Sequence, residues 1–233
     1  MLVLFPDGFE ERERGDVLEL AGYGDQGDAA RLAAALGPVE RQVVEPGWDE
    51  GWKRFHHPVR IGPLWVGPPW EEPEPGALAV VVDPGRAFGT GAHPTTRLCL
   101  ELLVALDPAS FLDLGCGSGV LAVAAARLGF SPVVAVDADE AALEATRANA
   151  AANGVLVDVR RGDVLADALP SAGVAAANIA LAAVEAIGAR VDAELLIGSG
   201  YLAGERPRVR GRRAVERRER AGWAADLLQR FYH

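Results

Sequence analysis

The sequence predicts an α/β protein: a Rossmann-like, mostly parallel sheet of seven strands preceded by a small α+β domain. Three observations lead there. Phe111–Leu114 is a short apolar run that ends in a glycine turn, Gly115-Cys-Gly-Ser-Gly119, and the Ala- and Leu-rich segment Val120–Leu128 follows directly. That is the order of a buried strand, a tight turn and a helix. Short apolar runs then alternate with helical segments, the pattern of a parallel sheet with crossover helices. Finally, Gly67-Pro-Pro-Trp-Glu-Glu-Pro-Glu-Pro-Gly76 sets this block apart from the residues before it, and its Pro and Glu content reads as a linker.

The expected boundaries are residues 1–67 for the small domain, 68–77 for the linker and 78–233 for the large domain. In the small domain, Leu2–Phe5 and Val17–Ala21 are strand candidates. Asp28–Leu36 is a helix, with Asp28 as N-cap and Gly37-Pro38 as the stop. Val39–Val44 is another strand, so the order β-β-α-β is part of a ferredoxin-like sheet, about one βα unit short. Trp48, Trp52 and Phe55 fall at i, i+4 and i+7, one face of a helix. We read this as a helix packed on its own sheet, with a docking surface for a protein substrate as the alternative. Ile61–Val66 is a strand.

In the large domain, strand Leu78–Val82 runs into a glycine-rich loop containing one aromatic residue, Phe88, placed to cover a flat ring or a methylsulfonium. Thr95 or Thr96 is placed to cap the apolar helix that follows, and His93, before a proline, reads as structural. Ala138–Asn153 is a helix stopped by Gly154, and Val155–Arg160 and Gly173–Ala177 are strands three and four. Leu181–Ala189 is a helix and Ala193–Ile197 is strand five. Arg213–Arg220 and Trp223–Phe231 form a closing antiparallel hairpin around Ala221-Gly222.

Composition narrows the function. Half of the 233 residues are hydrophobic, enough for a sizeable core. The net charge of −10 argues against general nucleic-acid binding and favours a basic partner. The N-terminus has no basic n-region or long apolar core, and no uninterrupted apolar run reaches membrane-spanning length. With only Cys99 and Cys116, and no disulfide framework, a reducing, cytoplasmic setting is expected. The histidines and cysteines show no metal-ligand spacing, so no metal is expected. Arg206–Arg220 holds eight arginines against two glutamates. It reads as a solvated hairpin face, the alternative being a contact patch for RNA or an acidic partner.

The glycine turn points to a nucleotide-like ligand. Dinucleotide folds use G-x-G-x-x-G, whereas here Gly115, Gly117 and Gly119 alternate and Val120 stands where the third glycine would be. Asp137 closes the second strand, 22 residues after Gly115, where an acid can accept from both ribose hydroxyls of an adenosine. That spacing suits NAD and S-adenosylmethionine (SAM) alike. The glycine pattern favours SAM, because D-x-G-x-G-x-G resembles the first motif of the class I methyltransferases.

The resemblance becomes specific over Asp83-Pro-Gly-x-Ala-Phe-Gly-Thr-Gly-x-His-x-Thr-Thr-x-Leu-Cys-Leu100, Asp113-Leu-Gly-Cys-Gly-Ser-Gly-Val-Leu-Ala122 and Ala177-Asn-Ile179. Together these resemble the PrmA family, methyltransferases of the eleventh large-subunit ribosomal protein, over roughly residues 45 to 200. The resemblance implies a small N-terminal domain that recognises the ribosomal protein. It also implies a SAM-dependent domain that methylates that protein's α-amino group and lysine side chains. From charge and hydropathy, no membrane and no direct nucleic-acid partner are expected.

Residue by residue, it implies SAM contacts at Thr96, Gly115, Asp137 and Asn178. Gly117 and Gly119 belong to the same turn, and Phe88 to the loop motif. Asp163 falls where class I enzymes often hold the adenine amino group, with Asp158 and Asp167 as alternatives. Asn178 is also the expected catalytic residue, since a side-chain carbonyl at the carboxyl edge of the sheet can accept from an incoming amine and aim its lone pair. Three departures stand out: Gly204, Pro207 and Gly211 leave no room for the family's full helix before the hairpin, the Gly-Gly before strand five is missing, and the N-terminal module is short. Two other readings therefore share this core: a different protein or small amine as substrate, or a SAM-binding module without catalysis.

Overall fold

The computed structural model describes residues 10–14, 17–21, 33, 57–83 and 93–231. The expected elements Leu2–Phe5 and Val39–Val44, the Trp48/Trp52/Phe55 face and Phe88 lie outside these residues. Of the expected helix 28–36 only Ala33 is described, and it is helical.

The chain divides into two compact units, Met1–Gly51 and Trp52–His233. In the first, β1 (Glu10–Arg14) pairs antiparallel with β2 (Val17–Ala21), from Glu10↔Ala21 to Arg14↔Val17. β2 coincides with an expected strand. β1, Glu-Glu-Arg-Glu-Arg, carries no strand signal of its own, because charged residues have low strand propensity; its partner decides its conformation.

The second unit opens with a three-stranded sheet. β3 (Val59–Ile61) pairs antiparallel with β4 (Leu64–Gly67), which pairs parallel with β5 (Leu78–Val81). The single strand expected over 61–66 is thus a hairpin, broken at Gly62, where φ is +54°. Residues 59–67, expected with the small domain, share a sheet with 78–81, and the expected linker 68–77 is the connection between its parallel strands.

Helix α1 (Pro94–Leu103) follows, then β6 (Phe111–Leu114), α2 (Val120–Arg127), β7 (Val133–Asp137), α3 (Glu140–Ala152), β8 (Asp158–Arg161), β9 (Ala172–Asn178), α4 (Leu181–Gly188), β10 (Ala193–Leu202), β11 (Arg212–Arg220) and β12 (Trp223–Arg230). The seven strands lie in the order β11-β12-β10-β9-β6-β7-β8. β6 to β10 are parallel, and β12 runs antiparallel to both β10 and β11.

Alternation along the central strands sorts the core onto two faces. Phe111, Val174 and Ala176 join the cluster with α1, α2 and α3, while Leu112, Leu114, Ala175 and Ala177 join the one with α4. The small residues of β9 let helices approach closely on both sides.

Between β10 and β11 there is no helix, as the glycines and proline there predict. Arginines brace this stretch instead. Arg212, only 7% exposed, donates to the carbonyls of Gly188, Val191, Ala193 and Glu194 at 2.7–3.3 Å. A cation at the end of α4 suits the helix dipole. Arg217 pairs with buried Asp226 at 2.6 Å and donates to the carbonyls of Ala203 and Glu205. Asp226 also accepts from the Tyr201 hydroxyl at 2.9 Å. Arg218 and Arg220 pair with Glu101, and Arg206 with Glu219. Five of the eight arginines are therefore occupied within the fold, and Arg212 and Arg217 depart from the solvated face expected of that segment.

Candidate active site

The carboxyl ends of β9, β6, β7 and β8 lie side by side, and the strand order reverses between the parallel neighbours β6 and β9, which are adjacent although two strands intervene in sequence. Ligands of open α/β sheets sit at such a switch point. Gly115, Asp137, Asp163 and Asn178 all fall on this edge.

Gly115, Gly117 and Gly119 all take positive φ, +72°, +53° and +76°, the region where a Cβ is strained. The turn is tied to β7 by Gly115 N–H and Cys116 N–H, both donating to Val136 O at 2.8 and 3.2 Å. The three glycines do different jobs. Gly115 and Gly117 are partly open to solvent, but Gly119 is buried, and a Cβ on it would lie 2.7 Å from Thr146 Cγ2. Gly119 is thus required by helix packing. Thr146 Oγ1 donates to Gly117 O at 3.0 Å, and Asn149 Nδ2 to Ser118 O at 2.8 Å, so α3 holds the turn from behind.

Asp137 is oriented by backbone. Its Oδ2 accepts from Gly117 N–H and its Oδ1 from Asp139 N–H, both at 3.0 Å. Each carboxylate oxygen retains acceptor capacity, as a diol would need. Gly162 N–H donates to Asp137 O at 2.9 Å, which sets Asp163 beside this edge. Asp163 is exposed and accepts from Leu165 N–H at 2.8 Å. Asp167 instead accepts from Asp163 N–H, and Asp158 opens β8 at its far end, paired with Arg160. The turn after Asp163 is held by Arg190, which donates to the carbonyls of Val164, Leu165, Ala166 and Asp167.

Asn178 ends β9, half-buried. Its Nδ2 donates to Thr96 Oγ1 at 3.3 Å, and Thr96 is fully buried in the first turn of α1. Neither threonine caps that helix. The cap is His93, whose Nδ1 accepts from Thr95 N–H at 3.4 Å and lies 2.8 Å from Thr95 Oγ1. Its ring also meets Trp223 edge-on at 5.3 Å.

Two further residues take roles that only the fold reveals. Asp113, 2% exposed, accepts from Ala122 N–H at 3.0 Å. Burial pushes its carboxyl up to about 7; the Ala122 bond opposes this and the Asp137 charge adds to it. Gly200 sits at a bulge of β10, with φ +101°. A Cβ there would lie 2.1 Å from Ile179 O, directly after Asn178. Bulges beside active sites are common, but nothing local marks this one.

The two cysteines are poor nucleophiles, since burial pushes both thiols up to about 12. Among the described residues no group of three or more His, Cys, Asp or Glu is placed to hold a metal ion, and no helix is long and apolar enough to cross a membrane.

A sheet closed by an antiparallel strand, with an alternating glycine turn and an acid at its switch point, is the class I methyltransferase fold. The cofactor that goes with it is SAM. The fit is supported here by the partial exposure of Gly115 and Gly117, the remaining lone pairs of Asp137 and the acid at 163. The chain belongs to the family of ribosomal protein L11 methyltransferases (PrmA), whose model matches residues 23–215.

Relatives bear this out over about half of the chain. A ribosomal protein L11 methyltransferase of Shewanella pealeana is 48% identical over 139 residues, 55% of this chain and 47% of that protein. One of Vibrio campbellii is 50% identical over 118 residues, 49% of this chain and 40% of that protein. The chain thus spans about half the length of the curated relatives it matches. Among solved structures, a ribosomal protein L11 methylase of Lactobacillus delbrueckii subsp. bulgaricus superposes with a TM-score of 0.66 at 26% identity, over 76% of this chain and all of that one. A putative RNA methyltransferase of Pyrococcus horikoshii, at TM-score 0.52 and 18% identity over 64% and 88% of the two chains, shares the fold.

Proposed function

We propose that the protein is a SAM-dependent protein N-methyltransferase that transfers methyl groups to amino groups, lysine side chains and the N-terminus, of ribosomal protein L11. The observation that carries this reading is Asn178. Thr96 occupies its amide NH2 group, and Oδ1 has no protein partner among the described residues, so the carbonyl is left to accept from an amine N–H.

When bound, SAM supplies a methyl on a leaving group already activated by positive charge. What remains for the protein is to bind, orient and desolvate. Gly115 and Gly117 give close backbone approach, Asp137 takes the ribose hydroxyls, and Asp163 takes the adenine amino group. Thr96 acts through Asn178, and Gly119 through its packing on Thr146. Phe88 completes the set on the strength of the loop motif. Asn178 Oδ1 fixes the amine so that its lone pair faces the methyl; alignment of this kind can supply roughly 7–11 kcal/mol in ideal cases.

Lysine's ordinary pKa is about 10.4, so the amine must lose a proton first. Leaving water on entry into a half-buried edge lowers that pKa, and the proton goes to solvent. The first unit, Met1–Gly51, is assigned to recognition of the ribosomal protein and the second, Trp52–His233, to the transferase, acting in the cytoplasm. Net charge −10 favours a basic protein substrate.

The test is intact-mass spectrometry of ribosomal protein L11 after incubation with the protein and SAM. Added methyl masses support the assignment. An unchanged mass, with SAM binding intact by calorimetry, overturns the substrate and leaves the cofactor.

A further inference from the structure

β5 has one paired edge and one open edge. Leu78 N–H and Val82 N–H donate to Pro63 O and Gly67 O of the β4 side, both at 2.9 Å. Strand geometry then turns the intervening residues Ala79, Val81 and Asp83 the other way. Among the described residues no strand pairs there, yet side chains meet the open edge at each of these positions. Arg127 Nε of α2 donates to Ala79 O at 2.8 Å. Asn153, just past α3, treats Val81 as a neighbouring strand would, accepting from its N–H at 2.8 Å and donating to its carbonyl at 2.6 Å. Asn149 Oδ1, one turn earlier, accepts from Asp83 N–H at 3.1 Å.

Covering an open edge is ordinary economy of buried backbone polar groups. Asn149 does more, because its amide is used at both ends. While Oδ1 holds the end of β5, Nδ2 donates to Ser118 O in the glycine turn at 2.8 Å, and the residue is 4% exposed. One planar group therefore spans two segments 35 residues apart in sequence, Asp83 and Ser118. Asn153 touches only β5 and the Asn149 carbonyl. Thr146, on the same face of α3, touches only the turn.

We propose that Asn149 is a positioning residue for the cofactor site, locking the glycine turn to the end of β5 through a single side-chain amide. The inference rests on the reading of that turn as the SAM site. It separates two asparagines that look equivalent: Asn153 fastens the small sheet, and Asn149 sets where the turn stands relative to it.

The test compares N149L with N153L in the full chain. Each removes one buried amide of the same type from the same face, so a merely structural role predicts equal effects. Two readouts are taken: hydrogen–deuterium exchange without cofactor, and SAM affinity by calorimetry. N149L is expected to raise exchange across residues 113–119 and weaken SAM binding by about tenfold, in line with loss of a buried hydrogen bond. N153L is expected to raise exchange across 78–83 and leave affinity within about twofold.

If N149L does not fold, N149D serves; it keeps an acceptor for Asp83 N–H, loses the donor to Ser118 O, and is expected to loosen the turn alone. Equal effects of the two leucine variants, or unchanged protection of 113–119 in the Asn149 variants, overturn the proposal. A wild-type chain that does not bind SAM overturns the methyltransferase reading and the cofactor role of Asn149 with it, while the exchange contrast still decides whether Asn149 couples the two segments.

Discussion

Replacing Gly200 by alanine tests how rigidly the reaction centre is built. Gly200 holds φ +101°, and an added Cβ would stand 2.1 Å from Ile179 O, 2.6 Å from its carbonyl carbon and 2.9 Å from its nitrogen. All three are backbone atoms, so no rotamer change relieves the clash. Reaching even about 3 Å, still inside the optimum for non-bonded atoms, takes about 1 Å of movement. Ile179 N–H is bonded to Ser199 O at 3.0 Å and Asn178 pairs with Ser199, so the displacement passes to Asn178.

A misplacement of about 1 Å at a reacting centre costs about a hundredfold in rate. The strained backbone costs of order 1–3 kcal/mol, a melting-point loss of roughly 2–12 °C at this size. Gly117 and Asp137 are held by bonds that do not involve Ile179, so SAM affinity should change by less than about tenfold, or ~1.4 kcal/mol. The assay is single-turnover methyl transfer at saturating SAM, beside calorimetry and a thermal melt. A folded G200A with turnover within threefold of wild type (about 0.6 kcal/mol) would refute the argument, showing that Asn178 need not stand where β10 holds it.

Asn178→Ala should abolish turnover while weakening SAM binding by less than about tenfold; calorimetry beside the methyl-transfer assay separates the two. Asp137→Asn puts an NH2 group where one of the Gly117 and Asp139 N–H donors now finds an oxygen. The unmade bond costs about 1–3 kcal/mol, and SAM affinity measured by calorimetry should drop about tenfold or more. Asp113 should make stability depend on pH. Its folded pKa, about 7, lies above its ordinary 3.8, so its contribution is fully present below pH 3.8 and is lost as pH rises through 7. Asp113→Asn removes that loss and can still accept from Ala122 N–H, so melts from pH 4 to 8 should show the variant gaining on wild type as pH rises.

The candidate cofactor edge owes its readability to local signals. A strand that must be buried on both faces is continuously apolar, and a glycine turn and an acid at its neighbour's end are fixed by chain geometry within a few residues. Gly115, Gly117 and Asp137 are legible that way, whereas Thr96 and the choice of Asn178 over a plain helix cap rest on the family resemblance. The missing helix before the hairpin was equally plain, because glycine and proline act locally. What each residue does was another matter. Thr96 is two residues from a proline in sequence, but its partner is Asn178, 82 residues away; the helix cap expected of it belongs to His93. Gly119, expected among the ligand contacts, is buried, and Thr146 packs where its side chain would stand.

Long-range contacts decided the rest. Residues 59–67 follow β5 because open strand edges must pair, and no composition shift reports which edge will be chosen. The arginines of 206–220 are spent on carbonyls and carboxylates brought to them by β10, α4 and α1, so a run that suggests a charged surface in sequence is largely bracing in space. Asn149 and Gly200 are the clearest cases. Each is an ordinary residue in its own segment, and each acquires its role from a backbone group contributed by another element. A sequence determines such roles only through the completed fold, since the distance that matters is set by packing and not by spacing along the chain.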